Sequence, residues 1–172
     1  MTSAGSRLSI GLMLSALAAC ATDVPLTDAE KLARVRTMAD DLVERFPTVE
    51  TIDVEEVGRL LESDDVVLID VRPEDERAVS AIPGAITAEE YESNVARYAD
   101  VTAVAYCTIG HRSSEYAERH AVAIRRVLNL RGSILAWTHA GGPLVTASGP
   151  TMRLHVYGSE WDLAPERYQT IW

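Results

Sequence analysis

Two cysteines occur in the chain, Cys20 and Cys107, and the second stands among residues that could use a thiol as a reagent. It follows Val101 to Tyr106 (VTAVAY) and opens the segment Cys107-Thr108-Ile109-Gly110-His111-Arg112-Ser113. That order describes a strand, a short loop and the start of a helix. A sulfur held there meets inward-pointing backbone N–H groups and the positive end of a helix dipole, and both favour thiolate over thiol. The thiolate is the nucleophilic form. Gly110 can take a backbone conformation that a Cβ would hinder, and Arg112 adds a permanent positive charge where loop meets helix. The alternative to a nucleophile is a buried structural cysteine at a strand end; the loop around it favours the nucleophile. His111 lies inside the loop, where it could contact a substrate, tune the thiolate or stand exposed and inert. His120, His139 and His155 show neither His–x₃–His nor Cys–His spacing, so no metal site is expected.

The elements that must position Cys107 alternate between strand and helix. Val66-Val67-Leu68-Ile69 is an uninterrupted apolar run, the pattern of a strand buried on both faces of a parallel sheet. Short strands are expected at Ile52, after the turn Ile82-Pro83-Gly84-Ala85-Ile86, and over Val127 to Leu130. Helices are expected over Asp53 to Leu61, over 88–98 and over Ser113 to Arg125. This alternation predicts an open α/β sheet with helices on both faces. In such sheets ligands bind beyond the carboxyl ends of the strands, where Cys107 falls. Ahead of the sheet, Thr27-Asp28 begins a helix running to about Arg45, with Leu32, Val35, Met38, Leu42 and Phe46 on one stripe. Pro47 ends it. Asp40, Asp41 and Glu44 on its far half would be repelled by anionic lipid, so the stripe is expected to pack on the domain that follows.

The chain's 172 residues suit one ordinary domain, and 47 % hydrophobic with 24 % charged residues is globular composition. A net charge of −10 argues against nucleic acid as a partner. Two cysteines exclude a disulfide-dense scaffold and a four-cysteine zinc site. Arg7, an uncharged run from Leu8 to Ala19, and then Leu17-Ala18-Ala19-Cys20 read as a secretory leader too short to span a bilayer. The last four residues resemble the bacterial lipobox, whose cysteine becomes lipidated. The resemblance implies Cys20 as the lipidation site and an extracytoplasmic protein tethered to a bacterial membrane, on its periplasmic or cell-surface side. Ordinary cleavage after Ala21 is the alternative.

Four blocks occur in order between roughly residues 48 and 146: Val67-Leu68-Ile69-Asp70-Val71-Arg72, Ile82-Pro83-Gly84-Ala85-Ile86, Cys107 to Ser113, and Gly132-Ser133-Ile134-Leu135-Ala136-Trp137. Together they resemble the rhodanese-like (sulfurtransferase) domain. The resemblance implies a five-stranded parallel sheet and a catalytic Cys107 that carries sulfane sulfur as a persulfide, with Arg112 beside it. Backbone N–H groups of residues 108–112 would stabilise the persulfide anion, and Thr108, Ile109, Gly110 and His111 would meet the substrate. Asp70 and Arg72 match the family's Asp-Val-Arg block, either as a polar tie near the rim or with Arg72 in direct substrate contact. Gly132 and Trp137 are expected to pack beneath the loop. The implied partners are a small-molecule or protein sulfur donor and a thiophilic acceptor, and no cofactor is implied.

Four residues separate Cys107 from Arg112, whereas phosphatases related to this fold have five, so the loop favours sulfur over phosphorus. The sequence also departs from the family. Ser80-Ala81 stand where Gly-His is frequent, and Ser133 replaces a common second glycine. Arg112 is the loop's one permanent charge, which supports general sulfur transfer better than thiosulfate as the donor. A non-catalytic rhodanese-like binding or scaffold module at the cell envelope is the rival reading; the intact Cys–x₄–Arg loop argues against it. A thiol redox protein lacks a second thiol nearby. The expected organisation is a signal peptide (1–19), a lipid-anchored tether and helix (20–47), the rhodanese-like domain (48–146) and an aromatic C-terminal extension (147–172). Tyr157, Trp161, Tyr168 and Trp172, four of the ten aromatics, lie in this last part. They could fold back onto the domain, or form a partner surface or a lid over the Cys107 loop.

Overall fold

The computed structural model describes residues 25–123 and 126–172. The expected leader, Cys20 and most of the tether lie outside the described residues, as does the expected helix end at Arg125. Among the described residues no helix is long and apolar enough to cross a membrane.

Five parallel strands form the sheet: β1 (Thr51–Ile52), β2 (Val66–Asp70), β3 (Ile86–Thr87), β4 (Thr102–Tyr106) and β5 (Leu128–Leu130), in the order β1-β5-β4-β2-β3. The two longest, β2 and β4, pair from Val66 opposite Thr102 to Asp70 opposite Tyr106. Successive side chains alternate across the sheet, so β2 and β4 each feed two cores. Leu68, Val104, Tyr106, Ile52 and Leu130 enter one with residues of α1 (Asp28–Arg45), α2 (Val54–Glu62) and α6 (Ser133–His139). Val67, Ile69, Ala103 and Ala105 enter the other with Tyr91 of α4 (Ala88–Ser93) and Tyr116 and Ala117 of α5 (His111–Ala123). Burial on both faces explains the apolar runs Val66 to Ile69 in β2 and Ala103 to Tyr106 in β4. A helix on each face is the architecture expected from the sequence.

The α1 helix starts at a capping box: the Glu30 N–H donates to Thr27 Oγ1, and the Thr27 N–H donates to the Glu30 carboxylate. Its stripe lies on the domain, with Val35 and Ala39 buried and Met38 and Leu42 partly so. After the sheet, β6 (Leu144–Thr146) and β7 (Gly149–Thr151) form an antiparallel hairpin, and β8 (Arg153–His155) pairs in parallel with β9 (Gln169–Ile171). Leu154, Val156, Leu163 and Tyr168 join the first core. Polar ties hold the same segment to the helices: Lys31 Nζ donates to the Ala164 carbonyl at 3.0 Å, the Glu166 N–H to Asp28 Oδ1 at 2.8 Å, and Arg167 Nη2 to the Thr138 carbonyl at 2.6 Å. The extension folds back, but of the four rings expected to be buried by this only Tyr168 is; Trp161 is half-buried, and Tyr157 and Trp172 each keep 60 % of their surface exposed.

Three helical details differ from expectation. The α5 helix begins at His111 rather than Ser113. The 88–98 helix divides into α4 and a 3₁₀ turn, Val95–Tyr98. Two short helices, α3 (Glu74–Val79) and α6, carry no amphipathic signature: α3 has six residues, and five of the seven in α6 are buried. Elements so short or so enclosed leave no periodic stripe to read.

Candidate active site

Cys107 sits at the carboxyl end of β4, in the middle of the sheet, and is 1 % exposed. The chain then turns away from the strand because its carbonyls find partners in α6. The Ile134 N–H donates to the Cys107 carbonyl and the Leu135 N–H to the Thr108 carbonyl, both at 3.2 Å. The Cys107 N–H donates to Ser133 Oγ at 3.1 Å. Ser133 pairs a left-handed φ of 49° with Gly132 at 71°; the serine accepts backbone strain there and in return supplies the hydroxyl that holds Cys107. Its departure from the family's glycine therefore has a structural role. Gly110 has φ 124°, and a Cβ at that position would stand 3.3 Å from both Asn129 Nδ2 and Leu42 Cδ1.

This turn brings the Gly110 N–H to 3.2 Å from Cys107 Sγ and Ser113 Oγ to 3.5 Å. Ser113 Oγ is also 2.7 Å from Asn129 Oδ1, so its single proton is shared between amide oxygen and sulfur. Burial alone would push the thiol's pKa up. The Ser113 hydroxyl and N–H, the Arg112 charge and the Gly110 N–H outweigh it and hold the thiol below its ordinary value.

Arg112 points its guanidinium at Glu76 of α3, donating to Oε1 at 2.6 Å and to Oε2 at 2.9 Å, and it donates to Thr108 Oγ1 at 3.0 Å. Bidentate pairing fixes the orientation of the guanidinium plane as well as its position. The carboxylate is buried, whereas the arginine side chain keeps 28 % of its surface exposed. The same guanidinium stands 5.2 Å from the centre of the Tyr157 ring.

Above the loop lies an open cavity of about 450 Å³. Cys107, Thr108, Ile109, His111 and Arg112 form its floor, Met38, Asp41, Leu42 and Arg45 of α1 one wall, and Tyr157 and Trp161 of the C-terminal extension another. Five of the seven loop and rim residues singled out in the sequence therefore meet here. Gly110 lies under the loop as its turning point. Arg72 is the exception and corrects an expectation: it is 1 % exposed, lines no part of the cavity, and its guanidinium is engaged by Asp70 and the Ser80 carbonyl. Burial makes it the polar tie rather than a substrate contact. His111 lines the cavity with its ring edge-on to Phe46 at 5.5 Å, and its Nδ1 is 3.7 Å from Glu115.

Sequence reasoning passed over Glu76, Asn129 and the supporting hydroxyls of Ser113 and Ser133. Glu76 is one of three consecutive acidic residues in Glu74-Asp75-Glu76, and nothing in their types shows which one turns inward. It also passed over the α1 wall, although the stripe that carries Met38 and Leu42 was visible.

A family model for the rhodanese-like domain matches residues 53–140. A protein named sulfurtransferase from Allochromatium vinosum is 37 % identical over 108 residues, covering 59 % of this chain and 99 % of that protein. A solved structure of thiosulfate sulfurtransferase from Pseudomonas aeruginosa superposes with a TM-score of 0.51 at 29 % identity. The match covers 65 % of this chain and 23 % of that one, so the chain spans less than a quarter of that relative's length. A Bacillus halodurans protein superposes with a TM-score of 0.51 at 17 % identity, over 64 % of this chain and 88 % of that one, a likeness of fold. Both cavity walls, α1 and the segment bearing Tyr157 and Trp161, lie outside residues 53–140.

Proposed function

The chain belongs to the rhodanese-like domain family, and from that membership we propose that it moves sulfane sulfur from a donor to a thiophilic acceptor through a persulfide on Cys107. Sulfur transfer in general is the activity that the family and the sulfurtransferase relatives support. The observation that carries the persulfide route is a thiol set under an open cavity, with the Gly110 N–H donating to it and the Arg112 charge favouring its thiolate. In the first step the Cys107 thiolate attacks the donor's outer sulfur. The donor's S–S bond breaks, its electron pair leaves with the remainder of the donor, and Cys107 keeps the sulfur as a persulfide anion. In the second step the acceptor attacks that outer sulfur and the Cys107 thiolate is released. The loop donors favour both anions because they are oriented before reaction and need no rearrangement.

Incubation with a sulfane donor should add about 32 Da, one sulfur atom, to the intact chain. Cyanide should remove the addition, and Cys107→Ser should not acquire it. No adduct from any donor would overturn the reading and favour a non-catalytic binding module.

Residues 1–20 support a second part of the proposal, an extracytoplasmic protein tethered through a lipid on Cys20. In a bacterial host Cys20→Ala should leave the membrane fraction; continued membrane association would overturn the anchor.

A further inference from the structure

Building on Cys107 as a sulfur-transfer nucleophile, we propose that the natural donor is an organic persulfide with a flat, largely apolar body, rather than an inorganic sulfane dianion. Three observations converge on this class. The first is size. The space over Cys107, about 450 Å³, lies in the range of about 300–1,000 Å³ that accommodates organic ligands, far more than an inorganic anion fills. The second is lining. Met38, Leu42, Ile109, Tyr157 and Trp161 offer hydrocarbon, thioether and two aromatic rings set edge to face at 6.5 Å. Tyr157 keeps 60 % of its surface exposed, though it is held over Arg112, so a flat apolar surface is left open to a ligand.

The third is charge. Arg112 is matched through two hydrogen bonds by Glu76, and Arg45 on the wall is accompanied by Asp41. Two arginines against two carboxylates leave no excess positive charge, and the Cys107 thiolate adds a negative one. A dianion entering this space gives up its hydration without a surplus of cations to replace it. An apolar body gains from the same walls by leaving water. Since both walls lie outside the family match at 53–140, this preference belongs to the segments flanking the common domain.

Organic thiosulfonates test the preference with one reacting group and a variable body. The Cys107 thiolate bonds to the outer sulfur of R–SO₂–S⁻, the S–S bond breaks, and its electron pair leaves on the sulfinate R–SO₂⁻. Cyanide then takes the outer sulfur from Cys107 as thiocyanate and restores the thiolate, so the cycle needs no external oxidant or reductant. kcat/KM would be measured for thiosulfate and for methane-, benzene- and toluenethiosulfonate, each normalised to its uncatalysed reaction with a free thiol. The expected result is a rise on the order of tenfold or more from the methane to the toluene compound, with thiosulfate lowest. Tyr157→Ala and Trp161→Ala should both shrink the toluene-to-methane ratio, and Trp161→Phe should largely keep it. Tyr157 is exposed enough that its truncation leaves the fold intact. A flat series, a preference for thiosulfate, or a ratio indifferent to Tyr157→Ala would overturn the apolar donor while leaving sulfur transfer in place. Failure of every donor, with no added sulfur on Cys107 by mass, would overturn the transfer reading itself.

Discussion

At the carboxyl ends of two neighbouring regions an arginine meets a carboxylate through two hydrogen bonds. Beyond β2, Arg72 donates to Asp70 at 2.9 and 2.7 Å and to the Ser80 carbonyl at 2.7 Å. The Tyr106 hydroxyl at the end of β4 donates to the same carboxylate at 2.7 Å and accepts from the Ile82 N–H at 3.1 Å. Beyond β4, Arg112 takes Glu76 in the same two-pronged manner. The chemistry of the pairs is alike, and their access to solvent is not. The Arg72 side chain has no exposed surface, whereas Arg112 keeps part of its own turned to the cavity. An arginine fully enclosed with its partners can only join segments, here β2, β4 and the turn at Ser80. One with a free side can also act on what enters the cavity. Motif membership alone does not separate the two roles; burial does.

The comparison is broken most severely by removing the enclosed arginine. Arg72→Ala leaves Asp70 buried with a charge that two neutral donors, the Tyr106 hydroxyl and the N–H of residue 72, cannot balance, at a cost of about 3–5 kcal/mol. Thermal unfolding should show a correspondingly large drop in Tm, with persulfide formation at low temperature preserved in the folded fraction. An unchanged Tm with lost activity would mean that Arg72 belongs to the site after all.

Arg112→Ala should show the opposite balance. The persulfide anion loses the charge beside it, and kcat/KM should fall roughly 10- to 100-fold, about 1.4–2.7 kcal/mol in barrier. Tm should fall less than for Arg72→Ala, because Arg112 is partly solvated already. The orphaned Glu76 carboxylate accounts for the fall that remains. Adding Glu76→Gln to Arg112→Ala should therefore recover stability and leave activity low. Recovery of both would assign Arg112 a purely structural role.

Much of this contrast was within reach of the sequence, and its decisive part was not. The four-residue apolar run of β2 and the residues after Val101-to-Tyr106 placed a thiol at the end of a central strand, because such runs alternating with helical segments fit a parallel sheet buried on both faces. The Cys–x₄–Arg spacing placed Arg112 at the loop's end. What the spacing could not carry is which acidic residue faces inward: Glu74, Asp75 and Glu76 are chemically interchangeable in the sequence, and only the path of α3 selects the third. Nor could it show that α1 and Tyr157 flank the same thiol, because Met38 and Tyr157 stand 69 and 50 positions from Cys107 and such contacts obey no local period. For Arg72 the sequence favours a tie while leaving substrate contact open, and only its burial excludes the contact.

The thiol offers a finer test on the open side. Burial opposes ionisation, but the Ser113 hydroxyl and N–H, the Arg112 charge and the Gly110 N–H stabilise the thiolate and hold its pKa below the ordinary cysteine value. Thiolate forms as pH rises through that pKa, and the rate of persulfide formation should rise with it and then level off. Ser113→Ala withdraws one donor from the thiolate and moves the rise to higher pH. Below the parent's pKa the rate should drop roughly three- to tenfold, the worth of a hydrogen bond to a charged group, while well above the shifted pKa it should match the parent. A uniform drop at every pH would instead mark Ser113 as a packing residue.

The smallest expected effect probes how far Glu76 sets the charge that a donor meets. Glu76→Gln keeps a hydrogen-bond acceptor for Arg112 and removes its negative charge, so the guanidinium faces the cavity uncompensated. An anionic donor should gain most in proportion to its charge: kcat/KM for thiosulfate should rise about two- to fivefold relative to methanethiosulfonate, under about 1 kcal/mol at this partly solvated arginine. Added salt should erase the gain, since the change is one of charge at a solvent-facing site. Asp70→Asn, the matching change on the enclosed side, should alter Tm and leave the thiosulfate-to-methanethiosulfonate ratio of the folded protein alone, because Arg72 has no face toward the cavity. If Asp70→Asn shifted that ratio as much as Glu76→Gln, the two arginines would share one electrostatic environment, and burial would no longer separate their roles.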